Sequence, residues 1–318
     1  MININKNAEN LVKQMIMREE EFKCKVSRFE NGTTLIDCGS KVSGSIEAGR
    51  IFSEICMGGL SRIFFNQHDY LTLSEVVDEP LIACMASQFA GWSIKVKYER
   101  EGEKKKFFAL GSGPARALAL SEKLFDDLSY RDKSDVAVIT LETEKLPSLE
   151  VANYIAENCR VKPENLYILT AKTASIVGSI QISARVVETG MHKLHELGFE
   201  IEKVKAGAGS APVAPIAKND LKAMGRCNDC VLYGGRVFYF ADCEDSEIED
   251  VIDKIPSSTS RDYGKPFYDT FKSYEFDFYK VDPLLFSPAE ITINNLKTGK
   301  VFHAGEVNRK VLRESLGV

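Results

Sequence analysis

Arg185 and Glu188 are the only charged residues in the small and apolar run TASIVGSIQISARVVET, residues 173–189. On an α-helix, side chains three or four apart share a face, so Gln181, Arg185, Glu188 and His192 form one polar stripe. Ile180, Ile182, Val186, Val187 and Met191 flank it. A carboxylate in an apolar wall has its pKa raised by desolvation and lowered by a neighbouring guanidinium, and between those two effects it can be set for proton transfer near neutral pH. The plainer alternative is an i, i+3 pair that faces solvent or closes a subunit interface, worth a few tenths of a kcal/mol. Taken on the residues alone, that alternative is favoured.

Other candidate groups are weaker. Gly111-Ser112-Gly113 stands where a strand turns into an expected helix, so its backbone N–H groups could approach an anion, and Arg116 on the first turn could reach the same anion. A Gly-x-Gly turn needs glycine with or without a ligand, and the loop matches neither a Walker A nor a dinucleotide-binding fingerprint. Structural and functional readings stand level there. Cys227 and Cys230 make a CxxC that lacks a second CxxC or a spaced His pair, so two thiols at the start of a strand are expected, and no metal site. Cys38, in IDCGS, has no activating His nearby and reads as a buried structural thiol.

The chain that must position these residues has 318 of them, 44% hydrophobic and 27% charged, which is ordinary for a soluble globular protein and long enough for two lobes. A net charge of −5 and a pI near 5.6 argue against nucleic acid or an anionic membrane as partner. There is no apolar tract of membrane-spanning length and no signal-peptide pattern at the amino end, and the eight scattered cysteines suit reduced thiols. A cytoplasmic location is expected.

Periodicity predicts a helix over 8–21, a strand over 33–38, a helix over 47–57, a strand near 62–65 and a helix near 81–90. WSIKVKYEREGEKKKFFALGSG reads as a hairpin with a solvated charged tip, and residues 115–125 as a helix. The polar DDLSYRDKSD is the expected linker, dividing an N-terminal lobe, 1–129, from a C-terminal lobe, 130–318, with some exchange of segments allowed. VAVITLE and LYILTA flank the helix LEVANYIAENCR as a βαβ unit with parallel pairing. The striped helix is expected to run to Gly198 with a kink at Gly190. AGAGSAPVAPIA reads as a loop and CVLYGG with RVFYFAD as a hairpin around Gly234-Gly235. Helices near 246–254 and 265–274 and a last hairpin, AEITINNLKTGKVFHAG, complete a mixed α/β (α+β) fold with mixed sheets and packed helices. Neither an internal repeat nor a low-complexity segment is evident.

The strings ENGTTLIDCG, FSEICMGGL, FALGSGPARALAL, TASIVGSIQISARVVETG, AMGRCNDCVLYGG, DYGKPF and DFYKVDP, in this order and over the whole length, resemble the methenyltetrahydromethanopterin cyclohydrolase family. The resemblance implies reversible hydrolysis of the methenyl bridge between N5 and N10 of tetrahydromethanopterin to an N5-formyl group, in one-carbon metabolism such as methanogenesis. It also implies no metal or prosthetic group, a homotrimer, and a pterin site in a cleft between two α/β lobes.

On that footing Glu188, the glutamate the family implicates in catalysis, takes a proton from water and returns it to the leaving nitrogen, and its charge complements the amidinium cation. Arg185 keeps Glu188 ionised and aimed. Gln181 and Ser183 are expected to position the water or the pterin amide, with a core-facing Ser183 as the alternative. Ser112, Gly113 and Arg116 are expected at the anionic tail, Lys95 and Lys97 less so, and AGAGSAPVAP beside the ring. Two other functions remain open: a cysteine-dependent hydrolase using Cys38, and a pterin-binding protein without turnover.

Overall fold

A computed structural model describes residues 2–317 apart from 68, 101, 278 and 279. Two residues of the DFYKVDP string and one of the charged hairpin tip therefore lie outside the described residues. The chain forms two compact units, one from residues 1–60 and 86–178, the other from 61–85 and 179–318. Each is built on one mixed six-stranded sheet with helices packed against it, the expected fold class.

The first unit's sheet has the order β1-β2-β8-β7-β6-β5, where β1 is Lys25–Arg28, β2 Thr34–Gly39, β5 Trp92–Arg100, β6 Glu103–Ser112, β7 Ala137–Glu142 and β8 Leu166–Ala171. β2, β8 and β7 pair in parallel and the rest antiparallel. Strands buried on both faces should read as continuous apolar runs, and β7 and β8 do. Val138 and Leu169 join the core under the helices Ile4–Met17 and Ile46–Cys56, while Ile139 and Ile168 join the opposite core with the helix Leu149–Cys159.

The second unit's sheet has the order β12-β11-β10-β9-β4-β3, where β3 is Ser61–Gln67, β4 Leu71–Val77, β9 Val204–Pro212, β10 Arg236–Ala241, β11 Glu290–Asn295 and β12 Val301–Gly305. Only β10 and β11 are parallel. The helices Asp220–Leu232, Phe267–Ser273 and Arg309–Leu316 share an apolar cluster built on Phe267, Phe271, Leu312 and Leu316.

Several expectations are corrected. AGAGSAP is not a loop but strand β9, paired on both sides with β4 and β10. Its small residues signal a covered strand face and not a turn: a Cβ at Gly209 would stand 2.7 Å from Val186, and one at Gly207 would stand 3.0 Å from the Tyr239 ring. CVL does not open a hairpin; it ends the helix Asp220–Leu232, so Cys227 and Cys230 are buried helical thiols. The helix expected over 115–125 breaks into the single turns Arg116–Ala119 and Leu124–Asp127, because Leu120 takes a left-handed conformation that a continuing helix does not allow. Residues 81–88 form a wide π-type helix instead of an α-helix, and the C-terminal helix Arg309–Leu316 had no counterpart in the sequence reading.

Candidate active site

The striped segment is two helices, Ile176–Ser183 and Val186–Glu196, and not one. In an unbroken helix the Val187 N–H would bond the Ser183 carbonyl, four residues back. Instead it donates to the Glu75 carboxylate of β4 at 3.0 Å, and Arg185 sits at the junction with φ −94° and ψ 7°. A side chain inserted into the hydrogen-bond ladder is a recognised cause of a helix break. At the break, where the Arg185 N–H already bonds the Ile182 carbonyl three residues back, Glu75 takes the place of the Ser183 carbonyl as the acceptor for Val187. Gly190 does not interrupt the second helix. A Cβ there would lie 2.2 Å from the Tyr239 hydroxyl, so glycine is what lets the helix lie against that ring.

The break places Glu188 in the first turn of the Val186–Glu196 helix, where free N–H groups and the helix dipole favour negative charge. The Glu188 carboxylate is buried and stands 3.8 Å from Arg185 Nη1, at the outer edge of an ion pair. Arg185 also donates from Nε to Gln181 Oε1 at 3.2 Å. Gln181, Arg185 and Glu188 thus form one connected polar line, as their spacing suggested, although it crosses a helix break. The fourth member of the stripe, His192, stands 3.7 Å from Glu196, and burial pulls its pKa below the ordinary value.

Two carboxyls, Glu75 and Glu188, therefore meet at one helix N-terminus. Glu75 is 1% exposed, and burial, reinforced by the Glu188 charge, pushes its pKa up to about 8, while the Val187 N–H and Arg185 act in the other direction. The Tyr239 hydroxyl donates to the Val187 carbonyl at 2.6 Å, fixing the same turn from β10, and burial raises its pKa well above the ordinary phenol. Neither Glu75 nor Tyr239 carries a sequence signal as a site residue. Their contacts span 112 and 52 residues and end on backbone atoms.

Ser183 faces inward, with its hydroxyl donating to the Pro212 carbonyl at 2.8 Å and the Ser179 carbonyl at 3.2 Å as the alternative acceptor. It ties the first helix to the end of β9. At the Gly111-Ser112-Gly113 turn, Ser112 is buried, Gly113 takes a φ of +99°, and its N–H donates to the Ser87 carbonyl at 2.8 Å. Arg116 does not point outward. Its fully buried guanidinium is bound by Glu122 at 2.7 and 2.8 Å, donates to Ser87, and lies over the rings of Phe89 and Phe125. Lys95 and Lys97 are exposed on β5, and Lys95 lies 5.7 Å from the Phe108 ring centre.

All eight cysteines are buried as free thiols. Burial, with Cys24 beside it, drives the Cys38 thiol well above its ordinary pKa, the reverse of an activated nucleophile. Among the described residues no group of three His, Cys, Asp or Glu is placed to hold a metal ion, and no helix is long and apolar enough to cross a membrane.

A buried carboxylate at a helix N-terminus beside a guanidinium is an arrangement that general acid–base chemistry can use. The model of the cyclohydrolase (MCH) family matches residues 3–316. The chain is 47% identical to the methenyltetrahydromethanopterin cyclohydrolases of Methanococcoides burtonii, Methanothermobacter marburgensis and Methanocaldococcus jannaschii, with 100% of this chain and at least 99% of each relative covered. This chain belongs to the methenyltetrahydromethanopterin cyclohydrolase family.

Proposed function

We propose that the chain hydrolyses the cyclic amidinium of 5,10-methenyltetrahydromethanopterin to the N5-formyl compound, reversibly, with Glu188 as the proton carrier. The observation that carries this reading is the placement of Glu188 in the first turn of a helix beside Arg185, in a chain related over its full length to cyclohydrolases of that name. The methenyl carbon is electrophilic and cationic. Glu188 takes a proton from water as the oxygen adds to that carbon, giving a neutral tetrahedral carbinolamine. The same proton then goes to the leaving N10 as the C–N10 bond breaks, and the carbinolamine hydroxyl gives up its proton to the freed Glu188 carboxylate and from there to solvent, leaving a neutral formyl group on N5 and one proton released overall.

Arg185 holds the carboxylate ionised and steadies the developing formyl oxygen, while Gln181 fixes the guanidinium from behind. The role of Ser183 is to anchor the helix that carries Gln181, not to touch the substrate. The amidinium end of the pterin is assigned to this polar line; Ser112 and Gly113 remain the candidates for its anionic tail, with Arg116 bracing that turn from beneath. No prosthetic group takes part in these steps. The active form is a homotrimer, and the enzyme works in the cytoplasm.

Absorbance of the methenyl chromophore, followed with purified protein, tests the reading directly. Loss of absorbance in proportion to enzyme, above the spontaneous rate, is expected. A constant absorbance with demonstrable binding would make the chain a pterin-binding protein, and inactivation of the native enzyme by a thiol-alkylating reagent in step with Cys38 labelling would restore the cysteine mechanism.

A further inference from the structure

Glu75 lies outside the proton path described above, yet it occupies the most constrained position next to it. It stands on β4 directly opposite Gly209 of β9. One carboxyl oxygen accepts the Val187 N–H, and the other is buried without a hydrogen-bond partner. An orphaned, fully buried carboxyl oxygen is costly when the group is charged, and far less so when that oxygen carries a proton. The charged and titratable groups facing Glu75 are Glu188 and Arg185 on the helix and Tyr239 on β10, with Cys84 beside the Tyr239 hydroxyl; the neighbouring stretch of β9 contributes only small uncharged residues.

Two carboxylates cannot both be charged cheaply at one buried helix terminus. Arg185 stands against Glu188, so the charge belongs there and the proton on Glu75. We propose that Glu75 is a positioning residue held as a neutral carboxylic acid, which caps the Val186–Glu196 helix and leaves Glu188 as the sole negative charge facing the substrate cation. This rests on Glu188 being the proton carrier. The acid state of Glu75 is nevertheless a property of the free protein and is measurable without substrate. Once Glu75 ionises, near pH 8, a second negative charge raises the affinity of Glu188 for its proton and weakens the hold of Arg185 on it. The rate should fall on the alkaline side.

Infrared difference spectra of the full-length protein, with and without ¹³C-labelled glutamate to set aspartates aside, should show a protonated glutamate band at pH 6.5. That band should fade through about pH 8 and be missing from Glu75→Gln. The amide keeps an oxygen for the Val187 N–H and cannot ionise, so Glu75→Gln should retain kcat at neutral pH within about threefold and lose the alkaline limb of the pH–rate profile. Glu75→Ala, which leaves the N–H unpaired, should lose kcat at every pH. Absence of the protonated glutamate band from labelled wild-type protein overturns the proposal whether or not any variant folds, and so does an alkaline limb unchanged in Glu75→Gln. If the band behaves as expected but Glu188→Gln turns over normally, the protonation of Glu75 stands and the role given to Glu188 fails.

Discussion

Tyr239 and Gly190 fit together with no room between them: a Cβ on the glycine would stand 2.2 Å from the tyrosine oxygen, and that hydroxyl donates to Val187, three residues before Gly190. The contact sets how closely the Val186–Glu196 helix approaches β10, and hence where Glu188 lies. Overpacking of this kind typically costs about 1–3 kcal/mol.

Gly190→Ala should therefore lower stability by about that amount and reduce kcat through a displaced Glu188. Tyr239→Phe removes the obstructing oxygen and one hydrogen bond, for a loss of about 1 kcal/mol. In denaturant titrations the double variant should be more stable than the sum of the two losses predicts. Strict additivity would mean that helix and strand do not meet as described.

Asp229 gives a pH dependence unrelated to catalysis. Its buried carboxylate accepts the Phe267 N–H at 2.9 Å and the Ser315 hydroxyl at 2.5 Å, and burial pushes its pKa from the ordinary 3.8 up to about 7. Between those values the folded chain holds a proton that the unfolded chain has released, so stability falls as pH rises across the window. Glu75 adds a slope of the same sign up to about 8. Melting temperature should decline from pH 5 to pH 8, and Asp229→Asn, which can keep both hydrogen bonds, should flatten the lower part of that decline. A decline as steep in Asp229→Asn as in the wild type would contradict the raised pKa of the buried Asp229 carboxyl.

A homotrimer is expected to scatter light as a particle of about three times 35.4 kDa. The outward face of the second sheet carries Phe64, Val76 and Phe240, each at least 36% exposed, an apolar surface that association would remove from water. Phe64→Lys should shift the mass toward that of a single chain if this face is used. A wild-type mass of one chain at all concentrations would rule the trimer out.

How much of this was readable beforehand depended on whether the signal was local. The βαβ unit, the hairpin with the charged tip and the last hairpin follow from alternating or continuous apolar runs bounded by turns, and the spacing of Gln181, Arg185 and Glu188 placed them on one line. AGAGSAP misled because glycine and alanine in a strand and in a loop look alike. What makes it a strand is pairing with β4 and β10, and the Tyr239 ring and the helix pressing on Gly207 and Gly209 are why those positions are glycine. The helix break at Arg185 was hidden for the same reason, since the group that takes the Val187 N–H there is Glu75, 112 residues from Val187, in a β-strand whose sequence marks only a buried face. Arg116 misled in a third way: its charge suggested an anion in solution, and the anion is Glu122, six residues on.

Glu188→Gln is the decisive substitution. The amide keeps the size of the side chain and much of its hydrogen bonding to Arg185 and the helix terminus, but it can neither take a proton from water nor hold a negative charge against the amidinium. General acid–base catalysis by a positioned side chain contributes ~10² to 10⁴-fold. The kcat of Glu188→Gln should fall by at least about the lower end of that range, while KM changes less because most contacts to ring and tail remain. The pH profile separates a base from a spacer. If the acidic limb of the wild-type rate is the titration of Glu188, it should vanish in the variant once spontaneous hydrolysis of the substrate is subtracted. A folded Glu188→Gln protein with near-normal kcat and an intact acidic limb would move the proton transfer to another group and leave Glu188 as a helix-terminal charge held by Arg185.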